Sequence, residues 1–297
     1  MLLRNLLRNA LAGLLALGVS LTAAGPGNRV TILYDAFGNS PALTKDWGFA
    51  AYIEYRGKRI LFDTGNNAQI FARNVQAAGV DLTALDFTVI SHRHLDHTAG
   101  LRYLLSVNPT GRIYAPKESF GVFGSSLPSS FYRKEESLPE SMRYYGGIPP
   151  EPMTFGSAWP EAKFELIDKP LEVAPGFHIV SLVSDNPGTR ELRELSLVIQ
   201  TPEGVVVVAG CSHPGIDKIV AAATAIDPRV ALVMGGFHLP AAPDAEIARI
   251  GSTLKDALKV DRLAPGHCTG EPAFAQFRKM WGDRYLYAGV GSVIELP

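Results

Sequence analysis

Three histidines and an aspartate lie within six consecutive residues, and this pattern constrains the fold more than any other feature of the chain. It reads His92-Arg93-His94-Leu95-Asp96-His97 and directly follows residues 87–90, an apolar run typical of a buried β-strand. Residues two apart in extended chain point the same way, so His92 and His94 can hold one metal ion. On a helix the same side chains would diverge by about 200°. The pattern therefore predicts a metal-binding loop that leaves a strand.

Asp96 and His97 lie at the predicted turn into the next helix, where they can face a second ion beside the first. Imidazole together with carboxylate suits Zn²⁺ and would also accept Fe or Mn. We therefore expect two divalent ions, zinc in the first instance. We also expect a catalytic role for Asp96, which can orient the attacking water and later carry its proton.

The remaining histidines are also concentrated in short motifs. The chain has seven histidines, and six lie where a predicted strand ends. The three beyond the first pattern belong to Gly210-Cys211-Ser212-His213-Pro214-Gly215, Gly235-Gly236-Phe237-His238-Leu239 and Gly266-His267-Cys268-Thr269-Gly270. Only His178 looks like an ordinary strand residue. One histidine at a strand end is usually structural, whereas six in such motifs indicate a chemical site.

The hydrophobic periodicity alternates between strands and helices in both halves of the chain. It predicts strands at residues 30–35, 49–55, 59–63, 87–90, 112–115, 177–183, 196–200, 205–209, 230–234, 262–264 and 292–295. It predicts helices at residues 66–78, 98–106, 215–225, 244–258 and 273–281. No linker divides the halves, so we expect an α/β fold with two mixed sheets packed face to face.

An apolar strand followed by His-x-His-x-Asp-His, and preceded by Phe62-Asp63-Thr64-Gly65, resembles the metallo-β-lactamase superfamily. The resemblance implies a four-layer αβ/βα sandwich of two mixed β-sheets with outer helices, and a metal site at one edge between the sheets. The three glycine-flanked motifs narrow the resemblance to the subfamily named for 7,8-dihydropterin-6-yl-methyl-4-(β-D-ribofuranosyl)aminobenzene 5′-phosphate synthase. Many members of that subfamily are described only as metal-dependent hydrolases.

The resemblance also implies roles for individual residues. It assigns His92 and His94 to the first metal ion, and Asp96 and His97 to the second. His267 matches the C-terminal histidine of the second ion. Asp63 matches an aspartate that orients the metal loop without being a ligand.

Two departures from the family pattern leave the ligand set incomplete. The superfamily usually has a histidine shortly before the strand that carries a bridging carboxylate, but residues 186–194 contain none. The bridging aspartate is also replaced, because the predicted strand at residues 205–209 leads into Gly210 and Cys211. We hypothesise that Cys211 or His213 completes the site, with Glu194 as a weaker substitute.

The last motif histidine and the two cysteines allow alternative interpretations. His238 could line the pocket as a substrate-binding or acid–base group, or it could hydrogen-bond to the ligands from behind. The chain has two cysteines, too few for a disulfide scaffold. In an oxidising compartment Cys211 and Cys268 could form a disulfide, which would remove Cys211 as a ligand.

The first 24 residues have the pattern of a secretory signal peptide. Arg4 and Arg8 precede an apolar run at residues 10–19, and small residues follow at positions 22–25. Cleavage near Ala24 predicts a periplasmic or secreted protein without stable membrane association, while an uncleaved anchor is the alternative. Residues 25–297 then form one metallo-β-lactamase-like domain.

Residues 117–160 differ in composition and in hydrophobic periodicity from the rest of this domain. They lack periodicity and are rich in serine, proline, glycine and aromatic residues. Long loops within compact domains are commonly functional, and the aromatic content argues against disorder. We expect a lid or pocket wall that suits a flat or apolar part of a substrate.

Charge and motif content together favour a hydrolase of small molecules. The net charge is −1, and no run of basic residues is present, which argues against a nucleic-acid partner. A metal-activated water would attack an ester, lactone, amide or phosphoester bond. A synthase of the pterin type is the alternative enzyme, although export argues against it. A metal-binding protein with little turnover is the third interpretation, and the oligomeric state stays open.

Overall fold

The computed structural model describes residues 27–118, 126–131, 133–151, 153–154, 159 and 161–297. The predicted signal peptide lies outside the described residues. So do four aromatic residues of the predicted lid, which are Phe120, Phe123, Tyr132 and Phe155. Within the described ranges, no helix is both long and apolar enough to cross a membrane.

Strands and helices alternate along the chain. The strands are β1 Arg29–Tyr34, β2 Ala50–Tyr55, β3 Lys58–Phe62, β4 Phe87–Val89, β5 Ile113–Pro116, β6 Ser126–Leu127, β7 Met153–Thr154, β8 Phe164–Ile167, β9 Leu171–Ala174, β10 Phe177–Val183, β11 Arg193–Thr201, β12 Gly204–Ala209, β13 Val230–Gly236, β14 Arg262–Gly266 and β15 Val293–Glu295. The α-helices are α1 Ala68–Ala77, α2 Leu95–Thr98, α3 Leu101–Val107, α4 Ile216–Ala223, α5 Asp244–Ser252 and α6 Glu271–Trp281. Short 3₁₀ turns occupy Leu82–Ala84, Ser129–Phe131, Glu140–Met142, Tyr144–Gly147, His267–Thr269 and Gly282–Arg284, and a π-helical turn at Thr253–Ala257 extends α5.

The strands form two large mixed sheets and one small hairpin. The first sheet has seven strands in the order β15-β1-β2-β3-β4-β5-β8, of which β3, β4, β5 and β8 are parallel. The second has six strands in the order β14-β13-β12-β11-β10-β9, of which β12, β13 and β14 are parallel. The strands β6 and β7 pair separately. This topology confirms the predicted pair of mixed sheets.

The core lies between the two sheets, and helices cover their outer faces. Phe62 and Val89 of the first sheet share a buried cluster with Leu197 and Val208 of the second. Helices α1 and α3 pack on the outside of the first sheet, while α4, α5 and α6 pack on the second. Because both faces are covered, every residue of β12 is buried, as expected for a strand of this kind. The predicted four-layer sandwich is confirmed.

Local sequence signals explain several element boundaries. The tight turn between β2 and β3 uses Arg56 and Gly57, which both have positive φ, as favoured hairpin turns require. Asn67 caps α1, because its side chain accepts hydrogen bonds from the backbone of Gln69 and Ile70. Gly79 follows the helix with a φ of 66°.

The predicted helix at residues 98–106 is instead two short helices, α2 and α3. The N–H of Ala99 is shared between the carbonyls of Leu95 and Gly65, which links the end of α2 to the loop after β3. A Cβ at Gly100 would lie 2.1 Å from the Thr64 carbonyl oxygen, so only glycine allows this close approach. The interruption fixes α2, which carries Asp96 and His97, against that loop.

The segment at residues 117–160 begins beside the metal loop. The carboxylate of Glu118 contacts Arg93 at 3.1 Å and accepts a hydrogen bond from the backbone of Arg193. Farther along, Tyr145 and Ile148 are largely exposed. The predicted role as a lid or pocket wall stays a prediction.

Candidate metal centre

The histidine loop is held in place by one buried carboxylate. Asp63 directly follows β3, the parallel neighbour of β4. Its Oδ1 accepts the backbone N–H of Ser91 at 2.7 Å, and its Oδ2 accepts the Ser91 hydroxyl at 2.7 Å. The same Oδ2 lies 2.7 Å from Nδ1 of His97. Asp63 therefore contacts both ends of the loop and is positioned to orient it.

The second half of the centre comes from three separate strand ends. Since β12, β13 and β14 are adjacent and parallel, their carboxyl ends lie at the same edge of the sheet. Cys211 and His213 follow β12, His238 follows β13, and His267 follows β14. Residues far apart in sequence thus face the histidine loop of the other sheet.

Glu194 organises this second half. Its Oε1 accepts the N–H groups of Cys211 and Ser212, at 2.9 and 2.7 Å. Its Oε2 accepts the N–H of His213 at 2.8 Å and lies 2.9 Å from Nδ1 of the same residue. Both oxygens are therefore engaged with the loop after β12. Burial opposes ionisation of Glu194, but the hydrogen bond with His213 leaves its pKa lowered. Glu194 positions His213 and belongs to none of the ligand groups described next.

His92, His94 and His213 form the first group of convergent ligand atoms, all within 4.8 Å of one another. Nδ1 of His92 lies 2.9 Å from the Ser91 hydroxyl, and that hydroxyl already donates to Asp63. The Nδ1 atoms of His92 and His213 are thus donors. Their Nε2 atoms are buried and have no hydrogen-bond partner among the described residues. Two buried nitrogens without hydrogen-bond partners, next to a third imidazole, are suited to bind a metal ion.

Asp96, His97 and His267 form the second group. Nε2 of His97 lies 3.2 Å from Nε2 of His267, and Oδ2 of Asp96 lies 3.4 Å from the latter atom. The backbone N–H of His267 donates to Oδ2 of Asp35 at 2.8 Å, which fixes the strand end. One carboxylate and two imidazoles again suit a divalent ion.

Cys211 lies between the two groups. Its Sγ is 3.2 Å from Nε2 of His97 and forms a further ligand group with His92 and His97. The two sequence candidates therefore fall in different places, because His213 joins the first group while Cys211 stands between the groups. Cys211 occupies the place where the family pattern led us to expect a bridging carboxylate.

Cys268 and His238 lie next to these groups. Both cysteines are free, and their Sγ atoms lie 3.2 Å apart, well beyond a disulfide bond of about 2.05 Å. The disulfide considered from the sequence is therefore not formed. His238 is exposed, and its ring centroid lies 4.3 Å from that of His213.

The two groups differ in how strongly they hold protons. Burial, followed by the neighbouring histidines, lowers the pKa of His92 well below its usual value. Burial and the nearby His213 lower the pKa of His94 to about 4. His97 behaves oppositely, because Asp63 outweighs burial and raises its pKa to about 9. His92 and His94 are therefore ready to bind a cation at neutral pH, whereas His97 must release a proton.

Backbone strain is concentrated at this centre. Asp63, Ser212, His238 and His267 all have positive φ, between 44° and 66°. Such conformations cost energy outside glycine and are typical of functional sites. The hydrogen bonds of Asp63 to the histidine loop and of Glu194 to the loop after β12 help to stabilise these conformations.

Sequence reasoning missed three residues of the centre. Ser91 relays the contact from Asp63 to His92. Asp35 fixes His267, and burial raises the pKa of Asp35 to about 7. The ring of Trp47 lies 5.2 Å from that of His267, and 49% of Trp47 is exposed. No sequence signal marks Asp35 or Trp47, although Ser91 stands inside the histidine motif.

Comparisons with known proteins agree with this architecture. The family model described as the metallo-beta-lactamase superfamily matches residues 47–267. A 7,8-dihydropterin-6-methyl-4-(beta-D-ribofuranosyl)-aminobenzene-5'-phosphate synthase from Methanocaldococcus jannaschii is 30% identical over 266 residues, which cover 83% of this chain and 88% of the relative. The resemblance drawn from the motifs is confirmed.

Two solved structures share the fold. A metal-dependent hydrolase of the beta-lactamase superfamily gives a TM-score of 0.67 at 24% identity, over 90% of this chain and 98% of that one. A metallo-beta-lactamase fold protein from Bacillus subtilis gives 0.56 at 17% identity, over 90% and 98% of the two chains. At these identities the likeness establishes the fold alone.

Proposed function

This chain belongs to the metallo-β-lactamase superfamily, and from that premise we propose that it is a metal-dependent hydrolase. The proposed substrate is a small molecule with an ester, lactone, amide or phosphoester bond. One observation carries the proposal: the bare, buried Nε2 atoms of His92 and His213 converge with His94 beside a second, carboxylate-containing group.

The ligand groups lead to a specific assignment of two ions. We assign the first ion to His92, His94 and His213, and the second to Asp96, His97 and His267. Cys211 stands between them and can contact either ion. A donor set of imidazoles, one carboxylate and one thiol fits Zn²⁺, and Fe or Mn remain compatible with the same nitrogens and carboxylate.

Ions held in these groups would lower the pKa of a water molecule and polarise the oxygen of the scissile bond. Asp96 is suited to handle the proton of that water, because its side chain keeps 20% exposure at the edge of the second group. His267 and His97 lie next to its Oδ2 and favour its ionised form, and the pKa of Asp96 is lowered accordingly although burial opposes this. An ionised Asp96 can accept a hydrogen bond from the attacking water.

His238 and Trp47 are exposed beside the ligand groups, and we assign both to contact with the substrate. The hydrogen bond to Cys268 raises the pKa of His238, which favours the protonated form of its ring. We assign His238 to donate a hydrogen bond or a proton to the substrate's leaving group. The half-exposed ring of Trp47 beside His267 offers a flat apolar surface for a planar part of the substrate.

Turnover by reconstituted protein tests the proposed function. Protein loaded with Zn²⁺ should hydrolyse at least one class in a panel of chromogenic esters, lactones and phosphodiesters, and His94→Ala should abolish that activity. His178→Ala is the matched control, because His178 contacts Gln200 away from the centre. Tight metal binding without turnover of any substrate in the panel would instead favour a metal-binding protein.

A synthase reaction is the second candidate, and the 30% identity to the synthase of Methanocaldococcus jannaschii supports it. The N-terminal sequence distinguishes the two, because pterin biosynthesis would take place in the cytoplasm. We propose that residues 1–24 are a signal peptide, that the mature chain is periplasmic or secreted, and that it has no stable membrane association.

Cell fractionation with N-terminal sequencing tests the proposed export. The mature protein should begin near Gly25 and be found outside the cytoplasm. Full-length protein in the cytoplasmic fraction would contradict export and strengthen the synthase candidate.

A further inference from the structure

Two buried thiols and one histidine form a further group beside the two just assigned. The candidate ligand atoms of Cys211, His238 and Cys268 lie within 4.8 Å of one another. Cys268 has no part in the two-ion centre. We propose that this group is a separate subsite for one thiophilic metal ion, which shares only the Cys211 sulfur with that centre.

The donor chemistry distinguishes this subsite from its neighbours. The two assigned groups offer imidazole nitrogens and a carboxylate, whereas this group offers two sulfurs and one nitrogen. Thiolate-rich sites select soft or borderline ions such as Zn²⁺, Cd²⁺ and Cu⁺. The two Sγ atoms lie 3.2 Å apart without being bonded, so a single ion can contact both once the thiol protons are released to solvent.

The loops that carry the ligands are tied together independently of any ion. The hydroxyl of Thr269 accepts the N–H of Phe237 at 3.1 Å and donates to the carbonyl of Gly266 at 2.7 Å. The N–H of Leu239 donates to the carbonyl of Cys268 at 3.1 Å. These bonds flank His238 on both sides and fix it against Cys268. A preorganised pair of loops favours ion binding, because the ligands need little rearrangement.

Space and access also fit an ion. A Cβ at position 236 would lie 2.8 Å from Sγ of Cys268, so Gly236 leaves room for the thiol. Both cysteines are 3% exposed, while His238 is exposed and gives access from solvent. An ion that binds the ring nitrogen facing Cys268 would displace any proton on that nitrogen to solvent, and the other nitrogen would remain a hydrogen-bond donor. His238 can therefore serve this subsite and still contact a substrate.

Cadmium titration tests the subsite without reference to turnover. Metal-free, reduced protein is titrated with Cd²⁺, and bound metal and the ultraviolet thiolate-to-metal absorption are measured. Cys268→Ser should bind about one equivalent fewer than the unmodified protein and show weaker thiolate absorption. His238→Ala should weaken binding of the same equivalent, and His178→Ala should change nothing. Equal stoichiometry and equal absorption in Cys268→Ser would overturn the proposal.

A second measurement uses the unmodified protein, so it tests the subsite even if a variant does not fold. The ¹¹³Cd NMR spectrum of the unmodified protein should contain a resonance shifted towards the range of cadmium bound to two sulfurs. A spectrum with resonances of nitrogen- and oxygen-bound cadmium alone would overturn the subsite. Neither readout depends on hydrolysis, so failure of the proposed hydrolase activity would leave this result interpretable.

Discussion

The two halves of the metal centre are built in opposite ways. The first sheet supplies His92, His94, Asp96 and His97 from a single loop after β4. The second sheet supplies its residues from the ends of three parallel strands, which follow one another over more than fifty residues. A buried carboxylate orients a loop in each half, Asp63 in the first and Glu194 in the second, and Asp35 additionally fixes His267. The candidate ligands of the first half are neighbours in the sequence, whereas those of the second come together only once the sheet has formed.

The largest expected effect tests whether the halves act as one centre. His92→Ala and His213→Ala should each lose about one equivalent of metal and reduce hydrolysis by roughly 10³-fold or more, because metal stabilisation is worth several kcal/mol. Metal analysis and kcat/KM check both variants, with His178→Ala as control. If only His92→Ala lost metal, His213 would not be a ligand, and the two halves would not act as one centre.

Substitution of Asp63 and of Glu194 should affect the binding of the two metal ions differently. Asp63→Asn disturbs Ser91 and His97, and we expect roughly 10–100-fold weaker binding of both ions. Glu194→Gln disturbs the loop that carries Cys211 and His213, so the larger loss should fall on the first ion, which we assign to His213. Stepwise metal titration separates the two ions. Glu172→Gln is the control, because this exposed carboxylate lies 3.9 Å from His178 outside the centre. Identical losses in the two carboxylate variants would show that the groups are not separate.

Acid should remove the two ions in order. His97, with its pKa near 9, is protonated at neutral pH, so binding of the second ion should weaken about tenfold per unit as the pH falls below 9. His92 and His94 have lowered pKa values and stay neutral, His94 down to about pH 4. Metal competition at pH 7 and pH 9 should show that binding of the second ion weakens more than binding of the first at the lower pH. Simultaneous loss of both ions would contradict the difference between the groups.

These differences between the two halves explain which parts of the fold and of the metal centre could be predicted from the sequence. The order of His92 to His97 is local, so the pattern predicted the loop, and the family resemblance that rests on this pattern implied the sandwich fold. The sequence left Cys211 and His213 as alternatives because the choice depends on which strands are neighbours. The family pattern places a histidine before β12, where this chain has Glu194, whereas the histidine that converges with His92 and His94 in the structure is His213, after β12. Trp47 and Asp35 reach the centre only through the packing of the two sheets.

The smallest expected effect concerns Trp47, whose exposed ring lies beside that of His267. Trp47→Ala should lower kcat/KM about fivefold for substrates with a planar ring, since an aromatic contact is worth about 1 kcal/mol. Small aliphatic substrates should be unaffected, and Trp47→Phe should restore most of the difference. Tyr287→Ala, which removes a similarly exposed aromatic ring at 46% exposure, is the control. An equal loss for aliphatic substrates would argue that Trp47 supports His267 and does not contact the substrate.

A crystal structure of zinc-loaded protein, with anomalous diffraction recorded at the zinc edge, tests the central claim most directly. The account predicts one ion bound by Nε2 of His92, Nε2 of His213 and a ring nitrogen of His94, and a second bound by Asp96, His97 and His267. A structure in which the Nε2 atoms of His92 and His213 bind no common ion would contradict it.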